Sequence, residues 1–369
     1  MENLLIGNGV NINFTGNQFT NASIIQRALT KTKLKKTDED YSKETAQLLE
    51  YLYSEFENTV NGINDQFLYM SSDKEVLEDF KIRYKNQDTC KIFDVGLEDY
   101  FILYEIFSNK HGWKNPNRYW YRELLQRMFF DSIYLNGQIQ RIWKKFPKWF
   151  MGFLNDFNNI FTTNYDSNLE SCVNKTVYHL HGSFSVLDDK YNPDSFRNHL
   201  EDMKGVDYSY VRKHPYLYST SLFAYCGSMK EFSMKQPLQG NTGIEKFASG
   251  FKEGIVDPLE LERWCTSTNQ MLHNLGESIK LKQEHPEYMI SEPYSIREFQ
   301  EIKENLSIIG LSPSNDNHIF KWINDNQALD KIHYFYFNPG EIAVVKKLLI
   351  SAELIFKDVK AFWRQLDNE

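Results

Sequence analysis

Two neighbouring stretches decide the reading of this chain: Ile160-Phe161-Thr162-Thr163-Asn164-Tyr165-Asp166 and Val177-Tyr178-His179-Leu180-His181-Gly182. Each opens as a short apolar run, which reads as a buried strand, and each ends in polar side chains. Open α/β sheets place their ligands at the carboxyl ends of such strands. The first end presents an amide and a carboxylate, Asn164 and Asp166, and the second presents the imidazole of His181 on a turn that Gly182 can close. Alternation puts His179 on the same face as His181, where a packed, hydrogen-bonded structural role suits it better than chemistry.

Working outward, Leu4-Leu5-Ile6 reads as a first strand feeding the loop Gly7-Asn8-Gly9-Val10-Asn11-Ile12-Asn13. Glycine lets a backbone approach phosphate oxygens closely, although the third glycine of the dinucleotide fingerprint is missing. Towards the other end, Leu306-Ser307-Ile308-Ile309-Gly310 predicts a strand that delivers Gly310 and Ser312, with Asn315 or Asp316 capping the helix that follows. Ile332 to Phe337 predicts the last strand, ending at Asn338, and a helix over about Glu341 to Phe362 closes the chain.

Between these strands lie two long excursions. Helical periodicity runs through 21–29, 44–60, 74–84, 97–107, 120–130 and 139–150, so residues 31–150 read as a helical insertion. Its lysine-rich run 31–40 lacks interleaved aromatics and reads as a solvated loop rather than a nucleic-acid contact. Arg118 to Arg122 and Trp143 to Phe150 mix basic and aromatic residues, a composition shared by base-stacking surfaces and packing helices; the helical spacing of the aromatics favours packing. Residues 185–305 form a second, irregular insertion, polar and turn-rich over 188–235, with a loop at Gly240 to Gly243 and helices over 259–272 and 296–306. The fold expected is α/β: a Rossmann-like parallel sheet core from 1–30, 151–184 and 306–369, interrupted by the two insertions.

With 369 residues, 41% of them hydrophobic and 15% aromatic, the chain can build a large core despite a mean hydropathy of -0.55. A formal net charge of -8 gives the whole molecule no electrostatic pull towards nucleic acid or an anionic membrane. The amino terminus has neither a basic region nor an apolar run long enough for a signal or a span, and the reading is a cytoplasmic protein. Four dispersed cysteines, Cys90, Cys172, Cys226 and Cys265, form no ligand-spaced pair, so no metal is expected.

In this order the motifs resemble the sirtuin-like family. Its G-A-G-x-S loop matches Gly7-Asn8-Gly9-Val10-Asn11, with Asn8 and Asn11 departing from the usual residues. Its T-x-N-x-D matches Thr162-Thr163-Asn164-Tyr165-Asp166, its H-G matches His181-Gly182, its G-x-S matches Gly310-Leu311-Ser312, and its strand-terminal Asn matches Asn338. The resemblance covers the core and leaves both insertions outside it. It implies that NAD is a substrate: the Gly7 and Gly9 backbone, with Asn8 and Asn11 in the same loop, would approach the pyrophosphate, Asp166 would hold the nicotinamide carboxamide, and Asn164 would hold the ribose or order the attacking water. His181 would be the general base, and Ser312 and Asn338 would contact the adenosine half.

Protein-deacetylating sirtuins carry a zinc ribbon of paired cysteines, which this chain lacks. The zinc-free arrangement with a helical insertion is more similar to the bacterial anti-phage branch, as in HerA-associated or Thoeris-type effectors, whose members hydrolyse NAD to nicotinamide and ADP-ribose. The resemblance therefore implies an NAD+ glycohydrolase acting in abortive infection. With no room after Asn338 for a full-size sensor, activation would come from self-assembly into a homo-oligomer or from a partner such as a HerA-type ATPase. Other readings are a regulatory subunit that senses NAD or ADP-ribose without turnover, and a zinc-free deacylase or ADP-ribosyltransferase.

Overall fold

The computed structural model describes residues 1–33, 43–85, 89–114, 117–186, 216, 219–223, 227–290 and 292–367. Six strands, β1 (Glu2–Ile6), β2 (Asn159–Thr162), β3 (Val177–His179), β4 (Glu304–Ile309), β5 (Leu329–Tyr336) and β6 (Glu353–Asp358), form one parallel sheet in the order β3-β2-β1-β4-β5-β6. The α/β fold with a Rossmann-like parallel core is therefore present. From β1 the chain crosses to β2 on one side, and the return at β4 lies on the other, so the strand order reverses at β1/β4. A crevice opens where neighbouring crossovers depart in opposite directions, here at the carboxyl ends of β1 and β4.

Alternation along the strands divides the core in two. Leu4, Ile6, Ile160, Ile309 and Phe335 pack into one cluster, and Leu5, Phe161, Ile308 and Tyr334 into another on the opposite face. Central parallel strands are covered on both faces, which is why Leu4-Leu5-Ile6 is a continuous apolar run with no exposed side chain. The first cluster continues into the helical insertion through Leu49, Phe80, Phe101 and Phe129. Phe14 packs against Phe146 and Phe150, and Trp149 against Trp363, at ring separations of 5.0–5.5 Å, so this aromatic stretch is used for packing.

Several expected elements differ in the structure. The helix expected over 139–150 is a 3-10 stretch, Ile139–Lys145, and a separate helix, Lys148–Asn155, because Pro147 in extended backbone divides them. Gly240 to Gly243 is not a loop. It lies inside the long Gly227–Lys252 helix, which also carries Pro237. Proline costs about 3 kcal/mol in a helix interior; burial of Met229, Met234, Ile244 and Phe251 along this helix opposes that cost. The helix expected over 259–272 is two, Pro258–Cys265 and Gln270–Glu284, since the Asn269 side chain accepts from Leu272 N and starts a new helix. The one expected over 296–306 stops at Gln300, and Glu304, with φ 67°, turns the chain into β4.

The carboxyl-terminal helix expected from Glu341 to Phe362 is instead a Gly340–Leu348 helix, strand β6 and a Val359–Asp367 helix. β6 pairs with β5 alone, and none of its residues is fully buried, so its sequence lacks the apolar run of a central strand. Residues 34–40 of the lysine-rich run and 187–215 of the second insertion lie outside the described residues.

Candidate active site

Three glycines shape the crevice floor. Gly7 N donates to Ile309 O at 2.9 Å, Gly9 N donates to Gly310 O at 2.9 Å, and Val10 N donates to Gly7 O at 3.2 Å. A Cβ on Gly7 would stand 2.4 Å from Gly310 O, and one on Gly9 would stand 2.7 Å from Gly310 Cα. Gly310 itself has φ +72°, and its Cβ would meet Val10 N at 2.7 Å. These residues are glycine so that the ends of β1 and β4 can touch. The N–H groups of Gly7 and Gly9, expected to face phosphate, are spent on this contact, and the Gly9–Thr15 helix starts at once. Asn8 lines the cleft while its Nδ2 donates to Phe19 O at 3.0 Å.

The end of β2 is pinned to the same floor. Thr162 Oγ1 donates to Ile6 O at 3.0 Å and accepts from Asn164 N at 3.0 Å, so Thr162 is a buried brace rather than a cleft wall. Asp166 accepts from Asn11 Nδ2 at 2.7 Å through Oδ2, and from Asn168 N at 3.1 Å and Asn168 Nδ2 at 2.5 Å through Oδ1. Among the described residues, one lone pair of Oδ2 is left for a ligand. Burial raises the Asp166 pKa, and the donors from Asn11 and Asn168 oppose that rise. His179 bridges Asn164 O at 2.9 Å and Glu170 Oε1 at 2.6 Å, the structural role its position suggested. The Asn164 side chain is buried at the cleft wall, and its amide has no hydrogen bond among the described residues.

His181 is 3% exposed and faces a second imidazole that the sequence gave no reason to pair with it. Its Nε2 stands 3.0 Å from His318 Nε2 and 3.9 Å from Asp316 Oδ1. Asp316 occupies the cap position of the Asn317–Asp325 helix, yet its side chain makes no capping bond. Burial pushes both imidazoles well below their ordinary pKa, and the charge of Lys230 adds to the effect. Lys230 is itself buried and is bonded to Glu98, beside the hydroxyl of Tyr165 at 3.5 Å. Burial raises the Glu98 pKa to about 7 against the opposing Lys230, with Asp316 contributing to the rise.

These groups surround one cleft of about 710 Å³, within the range of small-molecule sites. Asn8, Gly9, Asn164, Asp166, His181, Gly310 and Ser312 line it. No protein-family profile, curated protein or solved structure matches this chain. Of the other sequence-derived residues, Gly7, Asn11 and Thr162 stand behind the wall, and Asn338 lies in the turn before the Gly340–Leu348 helix, its Oδ1 accepting from Gly340 N at 2.9 Å. Near Asn338, the cleft is lined instead by Phe337, Glu341 and Lys360, whose ammonium lies 3.9 Å from the centroid of the Phe337 ring. Glu98, Asp99 and Arg83 reach the cleft from the helical insertion. No strand-end pattern could have marked them, because they arrive from a separate layer of the fold.

Proposed function

We propose that this chain hydrolyses NAD, breaking the nicotinamide–ribose bond to give nicotinamide and ADP-ribose. The observation that carries the reading is the meeting, in one switch-point cleft, of the Asn164 amide, which has no hydrogen bond among the described residues, with a neutral His181 imidazole. As the bond to C1′ breaks, its electron pair leaves with the ring nitrogen, nicotinamide departs neutral, and positive charge develops on the ribose. The Asn164 amide orients the ribose or the incoming water, and the free lone pair on Asp166 Oδ2 accepts from the carboxamide. Water adds to C1′ and gives up a proton. In the tautomer in which His181 donates its Nε2 hydrogen to His318, Nδ1 of His181 carries the lone pair and takes that proton.

The resemblance in the strand-end motifs supports an anti-phage setting, with activation by self-assembly or by a partner such as a HerA-type ATPase. Chromatography of NAD products from wild type, Asn164→Ala and His181→Ala tests the reaction. Nicotinamide release by wild type alone is expected, and no release with or without the products of neighbouring genes would overturn it. A second reading, a subunit that holds NAD or ADP-ribose without turnover, draws on the tie between the His181 and His318 Nε2 atoms. Stoichiometric binding of unchanged ligand would favour it.

A further inference from the structure

Beside the proposed proton acceptor, the fold brings together three side chains able to ligate a metal. His181 follows β3, whereas Asp316 and His318 flank the start of the Asn317–Asp325 helix after β4. One ring nitrogen of each histidine and a carboxylate oxygen of Asp316 all lie within 4.8 Å of one another. The nearest pair is 3.0 Å apart, and the His181–Asp316 pair is 3.9 Å apart. Zinc bonds of about 2.1 Å in a tetrahedral arrangement place donor atoms roughly 3.3 Å apart. Closing the set around one ion therefore opens the histidine pair by about 0.3 Å, draws His181 and Asp316 together by about 0.6 Å, and draws His318 and Asp316 together by at most about 1.5 Å.

We propose that His181, Asp316 and His318 form a binding site for a borderline divalent cation of the zinc class, and that its occupancy switches the cleft off. Two imidazoles and a carboxylate are a donor set for such ions, with the fourth position left for water or substrate. Asp316 is free to close on the ion, since its side chain neither caps its helix nor makes another hydrogen bond among the described residues. His318 is buried against the Trp322 ring, and its Nδ1 has no hydrogen-bond partner among the described residues, so its polar contact is through Nε2. Lys230 is the fixed positive charge acting on the histidine pair, and it is compensated by Glu98 at its ammonium.

Inhibition follows from the imidazole itself and rests on the reading of His181 as the proton acceptor. A neutral imidazole has one nitrogen lone pair. When Nε2 gives that pair to the ion, Nδ1 carries the hydrogen and can no longer accept the proton of the attacking water. No local ligand spacing marks this set, because its members lie 135 and 137 positions apart for His181–Asp316 and His181–His318.

The test uses the full chain stripped with a chelator. Zinc affinity is measured by competition with a chromophoric chelator, and Co2+ is added as a spectroscopic probe. One ion per chain is expected, with tetrahedral Co2+ absorption, and affinity falling roughly ten- to a hundredfold or more in His318→Ala and in Asp316→Ala. Absence of binding, or binding unchanged in both variants, would overturn the site; Asp316→Ala decides if His318→Ala does not fold. In parallel, zinc should suppress nicotinamide release by wild type and leave Asp316→Ala insensitive; zinc bound without suppression would overturn the switch. A chain that binds zinc and releases no nicotinamide under any condition would overturn the hydrolase reading and the switch while leaving the metal site standing.

Discussion

Asn11 donates its side-chain amide to the buried carboxylate of Asp166 at 2.7 Å, joining the helix that follows β1 to the segment that follows β2 across 155 positions of sequence. The bond ties together the two strand ends that meet at the cleft. Removing the donor leaves Asp166 Oδ2 buried without a partner, a loss of about 1–3 kcal/mol. Asn11→Ala should therefore lower stability by that amount in chemical denaturation and weaken nicotinamide release. An unchanged midpoint would show that the bond does not hold this helix to Asp166.

The contact between β1 and β4 predicts an asymmetry among glycines. Gly310→Ala must place an L residue at φ +72° with its Cβ 2.7 Å from a backbone nitrogen. Left-handed backbone alone costs about 1–2 kcal/mol, and the clash adds to it. A loss of about 3 kcal/mol or more is expected, since neither strand end can move without opening the sheet. Gly152→Ala, where a Cβ meets nothing within 4 Å in the Lys148–Asn155 helix, should be neutral or stabilising by up to about 1 kcal/mol. Thermal unfolding of the two variants side by side separates close approach from a general intolerance of substitution.

Glu98 and Lys230 predict a pH effect. The Glu98 carboxyl is held at about 7 by burial against its ordinary 4.5, so the folded chain binds this proton more tightly than the unfolded chain. Stability linked to this group is full below 4.5 and is lost as pH rises to about 7. Glu98→Gln should remove that slope, so its midpoint gains on wild type across this window; His181 and His318 titrate in both proteins and cancel in the difference. A constant difference between pH 4.5 and 7 would contradict the assignment. Lys230→Met should cost about 1–3 kcal/mol by leaving the half-buried Glu98 carboxylate without its partner, and adding Glu98→Gln should recover part of the loss.

The strand ends were legible because parallel central strands are short apolar runs and their carboxyl ends carry polar or small residues, as at Ile6-Gly7, Thr162-Thr163-Asn164 and Ile309-Gly310. The strand order was not, since it depends on which strands pair, and pairing partners such as Leu5 and Ile308 are 303 positions apart. The long Gly227–Lys252 helix was hidden by Pro237 and Gly240, local signals that its buried face overrides. His318 and Glu98 were invisible for a different reason. Nothing local distinguishes a histidine in a helix or a glutamate before one, and only the meeting of separate layers places them beside His181 and Lys230.

The Asn164 amide offers the sharpest test of the proposed chemistry, because it can be altered almost without changing its shape. Asn164→Asp keeps the size of the side chain and replaces the amide donor by a carboxylate. His179 still donates to the main-chain oxygen of residue 164, and Thr162 still accepts from its nitrogen, so the local backbone should hold. If Asn164 works by donating to a ribose oxygen or to water, both Asn164→Asp and Asn164→Ala should lose at least about a hundredfold in turnover, as removal of a positioned donor does elsewhere. If it merely accepts from a hydroxyl, Asn164→Asp should retain most activity while Asn164→Ala does not. Steady-state nicotinamide release from the two variants, with matching thermal midpoints as the control for folding, decides between donor and acceptor.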